Sequence, residues 1–296
     1  MRWNKWIKFT VASALIGSVL FIGSSAYAAA PSVFVNGELQ YDAMMVKGNA
    51  MIKLRALADP AWLVFAYDPK TRVVMFHTKD NKITVKLREG EKKATVNGKS
   101  VPIDAAVVNK NGLTYVPIRF ISETLGAYVK YYAQDNRVIV RTPTVQKEYE
   151  TLMNGDLTEA RKIALNLPKI KGDAPPLEYG EGYHHFGYTF PEGEALRFVF
   201  DDAGYDYGYY EVNEEGLAIL KWQSDEVAKR EWGVEPKFES SVYFLDEFMG
   251  GIYTYGKTDV HGNSQELGRL QTDGMNRKVV PIEGEKRADA RPGANK

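Results

Sequence analysis

Two stretches of this chain repeat one another, and that repeat constrains the fold more than any other feature. A stretch used twice is one structural unit, so the pair must be read together. Phe34-Val35-Asn36-Gly37 matches Thr95-Val96-Asn97-Gly98. Ile52-Lys53-Leu54-Arg55-Ala56-Leu57 matches Val116-Pro117-Ile118-Arg119-Phe120-Ile121, and Thr71 to Phe76 matches Asn136 to Arg141. The offset moves between about 61 and 65 residues, which places small insertions in the connecting loops.

Each block carries its own physical instruction. Asn-Gly between short β-prone runs favours a tight hairpin turn, because both central residues need positive φ. The second block starts as a strand and turns helical near Arg119, where Ile118, Ile121 and Leu125 recur at helical spacing and Gly126 is a natural stop. Its first copy is weaker, since Pro60 interrupts it after about two turns. Tyr128 to Tyr132 and Arg137 to Arg141 read as a hairpin. Ile83, Val85 and Leu87 alternate with Lys82, Thr84 and Lys86 as one further strand.

The run Leu113-Thr-Tyr-Val-Pro-Ile-Arg-Phe-Ile-Ser-Glu-Thr-Leu-Gly-Ala127, preceded by Asn-Gly and followed by Asn136-Arg-Val-Ile-Val140, resembles the stalk domain named after the N-terminal domain of copper amine oxidases. The resemblance covers residues 33 to 142, and Gly112 to Arg141 is its more specific half. It implies a small α+β module of antiparallel strands wrapped against a helix, common on secreted and cell-surface bacterial proteins. It does not imply copper. In the oxidases the metal and the quinone belong to a separate catalytic domain with three imidazole ligands and an Asn-Tyr sequence. This chain offers His77, His184, His185 and His261, without a His-x-His pair or an Asn-Tyr. Fold and surface role carry over; metal and amine oxidation do not, and no cofactor is expected.

Compartment follows from the first 28 residues. Arg2, Lys5 and Lys8 precede an uncharged apolar run from Val11 to Ile22, and Ala26-Tyr27-Ala28 supplies a small-x-small cleavage pattern. This is the layout of a secretory signal cut after Ala28, and the run is shorter than the roughly 20 residues that cross a bilayer. No later stretch is long and apolar enough to span, so the expected product is extracytoplasmic, secreted or envelope-associated. The 38 basic and 38 acidic residues balance, which removes the electrostatic case for nucleic acid. Zero cysteine excludes disulfide scaffolds, cysteine zinc sites and cysteine nucleophiles.

Residues 31 to 143 therefore read as the stalk-like domain. Residues 144 to 182 read as a helical connector and linker: Val145, Tyr149 and Leu152 share one face, and Asp156 or Thr158 caps a second helix with Ala160, Ile163, Ala164 and Leu167 inward. That helix pair either spaces the units or packs on a neighbour. From 183 to 283 the chain reads as an antiparallel β-rich domain, with Ser224 to Trp232 as its one helical candidate. Between Tyr179 and Tyr255, 19 of 77 residues are aromatic, about twice the frequency of the whole chain. From 284 the charged, small-residue-rich end reads as a disordered tail. The fold class is α+β throughout.

Three features of the β-rich part bear on function. Tyr205, Tyr207, Tyr209 and Tyr210, with Trp222, form a set whose rings either stack on sugar or peptide or fill a β pleat. Asp201, Asp202, Asp206 and Glu211 do not follow the twelve-residue calcium loop. His184 and His185, adjacent on a strand, point to opposite faces and do not chelate one metal. There is no Gly-x-Ser-x-Gly elbow, zinc-protease helix or phosphate loop. The expectation is an exported, non-enzymatic envelope protein whose stalk-like module supports a domain that binds a cell-wall glycan or a surface protein. The alternatives are a glycan or peptide hydrolase with paired carboxylates, marked by a pocket holding two of them about 5–9.5 Å apart, and a secreted inhibitor or regulatory domain.

Overall fold

The computed structural model describes residues 31–178, 186–202, 206–247, 251–271 and 278–291. The expected leader at 1–28, Tyr205 and the His184-His185 pair lie outside the described residues. The described chain is α+β, with three short α-helices and mostly antiparallel sheets.

The first unit begins with β1 (Ser32–Val35) and β2 (Glu38–Leu39), then β3 (Met44–Val46) and β4 (Asn49–Lys53). A 3-10 turn at Leu54–Leu57 leads to β5 (Leu63–Asp68) and β6 (Val73–Thr78). After β7 (Thr84–Arg88) comes the second half of the unit. It comprises β8 (Lys93–Val96) with β9 (Lys99–Pro102), β10 (Val108–Lys110) with β11 (Leu113–Pro117), α1 (Ile118–Leu125), then β12 (Tyr128–Tyr132) with β13 (Arg137–Arg141). The Asn-Gly turns take the conformation that their residues favour: φ is 50° and 84° at Asn36-Gly37, and 49° and 80° at Asn97-Gly98.

Three sheets enclose the core of this unit. The central one has the order β10-β11-β4-β3, and in it Ile52 pairs with Val116, flanked by Lys53 with Tyr115 and Met51 with Pro117. Positions that match in sequence thus face each other across one antiparallel pair. The other two are β12-β13-β1-β2, where β1 runs parallel to β13, and β5-β6-β7-β8-β9. Val33, Ile52, Phe76, Val116, Ile121 and Val140 meet between them.

Two details differ from the sequence reading. The hairpins β5–β6 and β12–β13 place their left-handed turn residues at Arg72 (φ 54°) and Asn136 (φ 51°). Arg72 therefore corresponds to Asn136 and not to Arg137, and the separation becomes 64 residues, the same as between Ile52 and Val116. Turn geometry, which sequence identity at one arginine concealed, sets that register. The helices also differ more than the sequences suggest. In α1, Ile118, Ile121 and Leu125 are buried on one face and Gly126 (φ 74°) ends it. In the first half the helix ends at Leu57, and the Trp62 and Leu63 N–H groups bond back to the Asp59 carbonyl around Pro60.

The second unit starts with α2 (Pro143–Asn154), capped by the Thr142 hydroxyl, and α3 (Leu157–Asn166), capped by Asp156. There follow β14 (Lys169–Ile170), β15 (Phe186–Pro191), β16 (Arg197–Asp202), β17 (Asp206–Val212), β18 (Ala218–Asp225), β19 (Arg230–Gly233), β20 (Ser241–Glu247), β21 (Ile252–Thr258) and β22 (Ser264–Gln271). They form one sheet, β14-β18-β17-β16-β15-β20-β21-β22, with β19 paired on β18. Period-two alternation sends Tyr188, Phe198, Tyr210, Leu220 and Phe244 to one face, where Tyr149, Leu152, Met153 and Ala164 of the two helices cover them. The helix pair packs on this sheet.

Ser224 to Trp232 is a strand, a turn and a strand in place of the expected helix. The Asp225 carboxylate accepts from the Ala228 and Glu178 N–H groups, and Lys229 at φ 53° turns the chain back. The expected tail also differs from what the structure holds up to residue 291. Arg161, on α3, makes a bidentate ion pair with Glu285 at 2.6 and 2.8 Å, and both side chains are buried. Asp289 accepts from the Ala195 and Leu196 N–H groups at 2.7 Å, and Arg287 donates to the carbonyls of Thr151, Leu152 and Gly155 at the end of α2. Composition marks these residues as charged; only packing shows that each charge has a backbone or ionic partner.

Candidate binding surfaces

The tyrosines and tryptophan singled out in the sequence are mostly packing residues. Tyr209 is 6% exposed, its ring edge-on to Phe238 at 6.0 Å and its hydroxyl donating to Glu211 at 2.8 Å. Burial, then that contact, pushes its phenol up to about 12. Tyr210 stacks on Phe198 at 5.5 Å, against a bare backbone at Gly208 that leaves room for its ring. Trp222 is buried as well, and Tyr207 is half-buried, its phenol raised by burial and by Asp201. A ring enclosed on both faces offers no stacking surface, so Tyr209, Tyr210 and Trp222 do not form the ligand platform expected of them. In the acidic set, Glu211 accepts from Tyr209, and the backbones of Asp202 and Asp206 pair at the ends of β16 and β17. Among the described residues no three His, Asp or Glu side chains are grouped as a metal would need. His77 is half-buried, with Nδ1 at 2.9 Å from the Thr78 carbonyl oxygen.

A groove that the sequence did not announce lies on the first unit. It holds about 580 Å³, within the range of about 300–1,000 Å³ common for small-ligand sites. It is lined by Leu54, Arg55 and Ala58, by Phe65 and Tyr67 of β5 with Val74, and by residues of the β10–β11 hairpin from Asn109 to Thr114. The 3-10 turn that contributes Leu54 and Arg55 ends at Leu57, before Pro60, whereas α1 runs on through Ser122 to Leu125. Tyr67 stays 55% exposed. No acidic residue lines this groove; a much smaller recess that shares Tyr67 with it adds Arg72 and Glu89.

A second groove, about 330 Å³, lies where the two units meet, between Asn36, Arg141, the α2–α3 helices and Glu215-Gly216. This junction is polar and enclosed. Arg137 is ion-paired with Glu215, whose side chain is 3% exposed. Arg141 donates to the Glu214 carbonyl and lies 3.5 Å from the Tyr149 ring centroid, and the Arg137 guanidinium lies over Tyr132 at 4.8 Å. Thr142 donates its N–H to Asn36 and its hydroxyl to Asp59, both at 2.9 Å. Burial first, and then Glu214, pushes the Tyr132 phenol up to about 12. The only carboxylates lining this second groove are Glu148 and Glu215, and Arg137 occupies the latter. Neither groove holds a pair of carboxylates free to act as acid and base.

Comparison with known proteins adds three findings. Residues 34–140, a little over a third of the chain, match the family described as the copper amine oxidase N-terminal domain, a non-catalytic domain. No curated protein matches. A solved structure of a protein from Lactobacillus plantarum is 11% identical with a TM-score of 0.17, covering 75% of this chain and 67% of that one, and this similarity carries no argument.

Proposed function

We propose that this is an exported, non-enzymatic binding protein of the bacterial envelope, in which a duplicated stalk-like unit and a β-rich unit are mounted as one body. The observation that carries the reading is the Tyr67 groove: a site of ligand size, lined by two aromatic rings and by no acidic or histidine side chain. The duplication is supported by the repeated sequence blocks and by the pairing of Ile52 with Val116 about a local two-fold relation. Export is supported by the sequence of residues 1–28, and no helix among the described residues is long and apolar enough to cross a membrane. Mounting is supported by the enclosed ion pair between Arg137 and Glu215. The sequence points to the β-rich domain for recognition; with three of its rings inside, the stalk-like unit becomes the better candidate.

The test is co-sedimentation of the chain from residue 29 onward with purified cell-wall sacculi and with whole cells. Retention by either, reduced by Tyr67→Ala with an unchanged melting curve, is the expected result. Failure to bind any envelope fraction, or release of sugars or peptides from sacculi by the purified chain, defeats the proposal.

A further inference from the structure

We infer that the Tyr67 groove takes an acidic glycan, a sugar chain bearing carboxylates; this rests on the binding reading above and names its ligand class. The ring of Tyr67 is more than half exposed, while Phe65, on the same face of β5, is half-buried and lines the same groove. A flat ring with one side wet is a platform for the C–H face of a pyranose. Arg55 lines the groove and Arg72 lines the small recess that shares Tyr67 with it, so each of the two cavities bordering this ring also has a cation. Both are exposed, and among the described residues neither is ion-paired, although Glu89 borders the recess. Guanidinium groups match carboxylates by charge and by paired N–H geometry. Asn109 and Thr114 add hydrogen-bonding groups to the lining. Because the Asn109 Oδ1 already accepts from the Gly112 N–H at 3.1 Å, its amide N–H groups are the ones left to donate.

The competing occupant is an acidic peptide, which would pair with the outer edge of β5, the terminal strand of its sheet. Strand pairing would use backbone groups and has no need of an exposed ring with a cation in each bordering cavity, so the glycan is favoured.

The experiment measures binding of the chain from residue 29 onward to polygalacturonate, with dextran as the neutral sugar and poly-glutamate as the acidic peptide, at low and high salt. Polygalacturonate is expected to bind, dextran and poly-glutamate at least about tenfold more weakly. Arg55→Ala and Arg72→Ala should each weaken binding about 3- to 5-fold and flatten its salt dependence, the worth of one exposed ion pair. Tyr67→Ala should weaken it about tenfold at either salt. All three side chains are exposed, so unchanged melting curves certify the fold. Equal binding of poly-glutamate, equal binding of dextran, or indifference to both arginines overturns the assignment. Retention on sacculi without affinity for polygalacturonate removes the acidic-glycan assignment alone; absence of both removes the binding reading as well.

Discussion

Replacing Glu285 by alanine should destabilise the second unit by about 3–5 kcal/mol, the usual cost of stranding one partner of a buried ion pair. The geometry explains why the figure sits there. The Arg161 and Glu285 side chains are 1% and 2% exposed, so solvent cannot replace the lost carboxylate. Glu285 accepts from Nη1 and Nη2 of Arg161 and from the Gly193 N–H at 2.7 Å; alanine removes all three bonds at once and leaves Nη2 only the longer one to the Pro191 carbonyl at 3.5 Å. The bond from Arg161 Nε to the Glu194 carbonyl and the placement of the guanidinium over Phe190 survive, which keeps the loss below the sum of its parts. With a urea dependence of about 2 kcal/mol per molar, the midpoint should fall by about 2 M. Unfolding of this unit is followed by fluorescence of Trp222 and Trp232. The double replacement Arg161→Met with Glu285→Leu should recover most of the loss, because no charge is then left buried. A midpoint shift below about 0.5 M, or a chain cut after residue 283 that unfolds like the intact one, refutes the reasoning and returns these residues to the role of a tail.

Three other outcomes are expected. Arg137→Ala leaves Glu215 buried without its cation, so the two units should separate into two calorimetric transitions, at a cost of about 3 kcal/mol to their docking; one unchanged transition argues against a coupled junction. The Tyr132 phenol is raised from its ordinary value near 10 to about 12, so its contribution to stability is intact below pH 10 and is lost as pH rises through 12. Tyr132→Phe should flatten the loss of stability between pH 10 and 12, read from urea midpoints across that window. Gly37→Ala and Gly98→Ala each force a side chain into left-handed backbone at about 1 kcal/mol, but only at Gly37 does the new methyl also meet Leu217, at 3.1 Å. Gly37→Ala should therefore lower the melting temperature more, and equal effects would show that this turn does not press on the second unit.

Local chemistry was legible wherever the backbone itself is decisive. Asn36-Gly37, Asn97-Gly98, Pro60, Gly126 and the Asp156 cap each act within a few residues, and the structure has each where its φ preference or missing N–H requires it. The match with a known domain over residues 34–140 was readable for the same reason, since its pattern is a string of such signals. Alternation located the strands of the aromatic half but did not tell which of their rings tertiary packing would bury. Tyr209 and Trp222 were therefore assigned to a ligand although each is only 6% exposed.

The sequence alone determined where the Asn-Gly turns and the Gly126 helix stop of residues 32 to 141 would fall, because turn, helix-stop and alternation signals are properties of neighbours along the chain. The tertiary structure alone decided that Leu54 and Tyr67 would wall one groove with Asn109, and that Glu285 would find Arg161 across 124 positions. Burial and ion pairing depend on which strands and helices lie together in space, and no periodicity along the chain encodes a neighbour that far away.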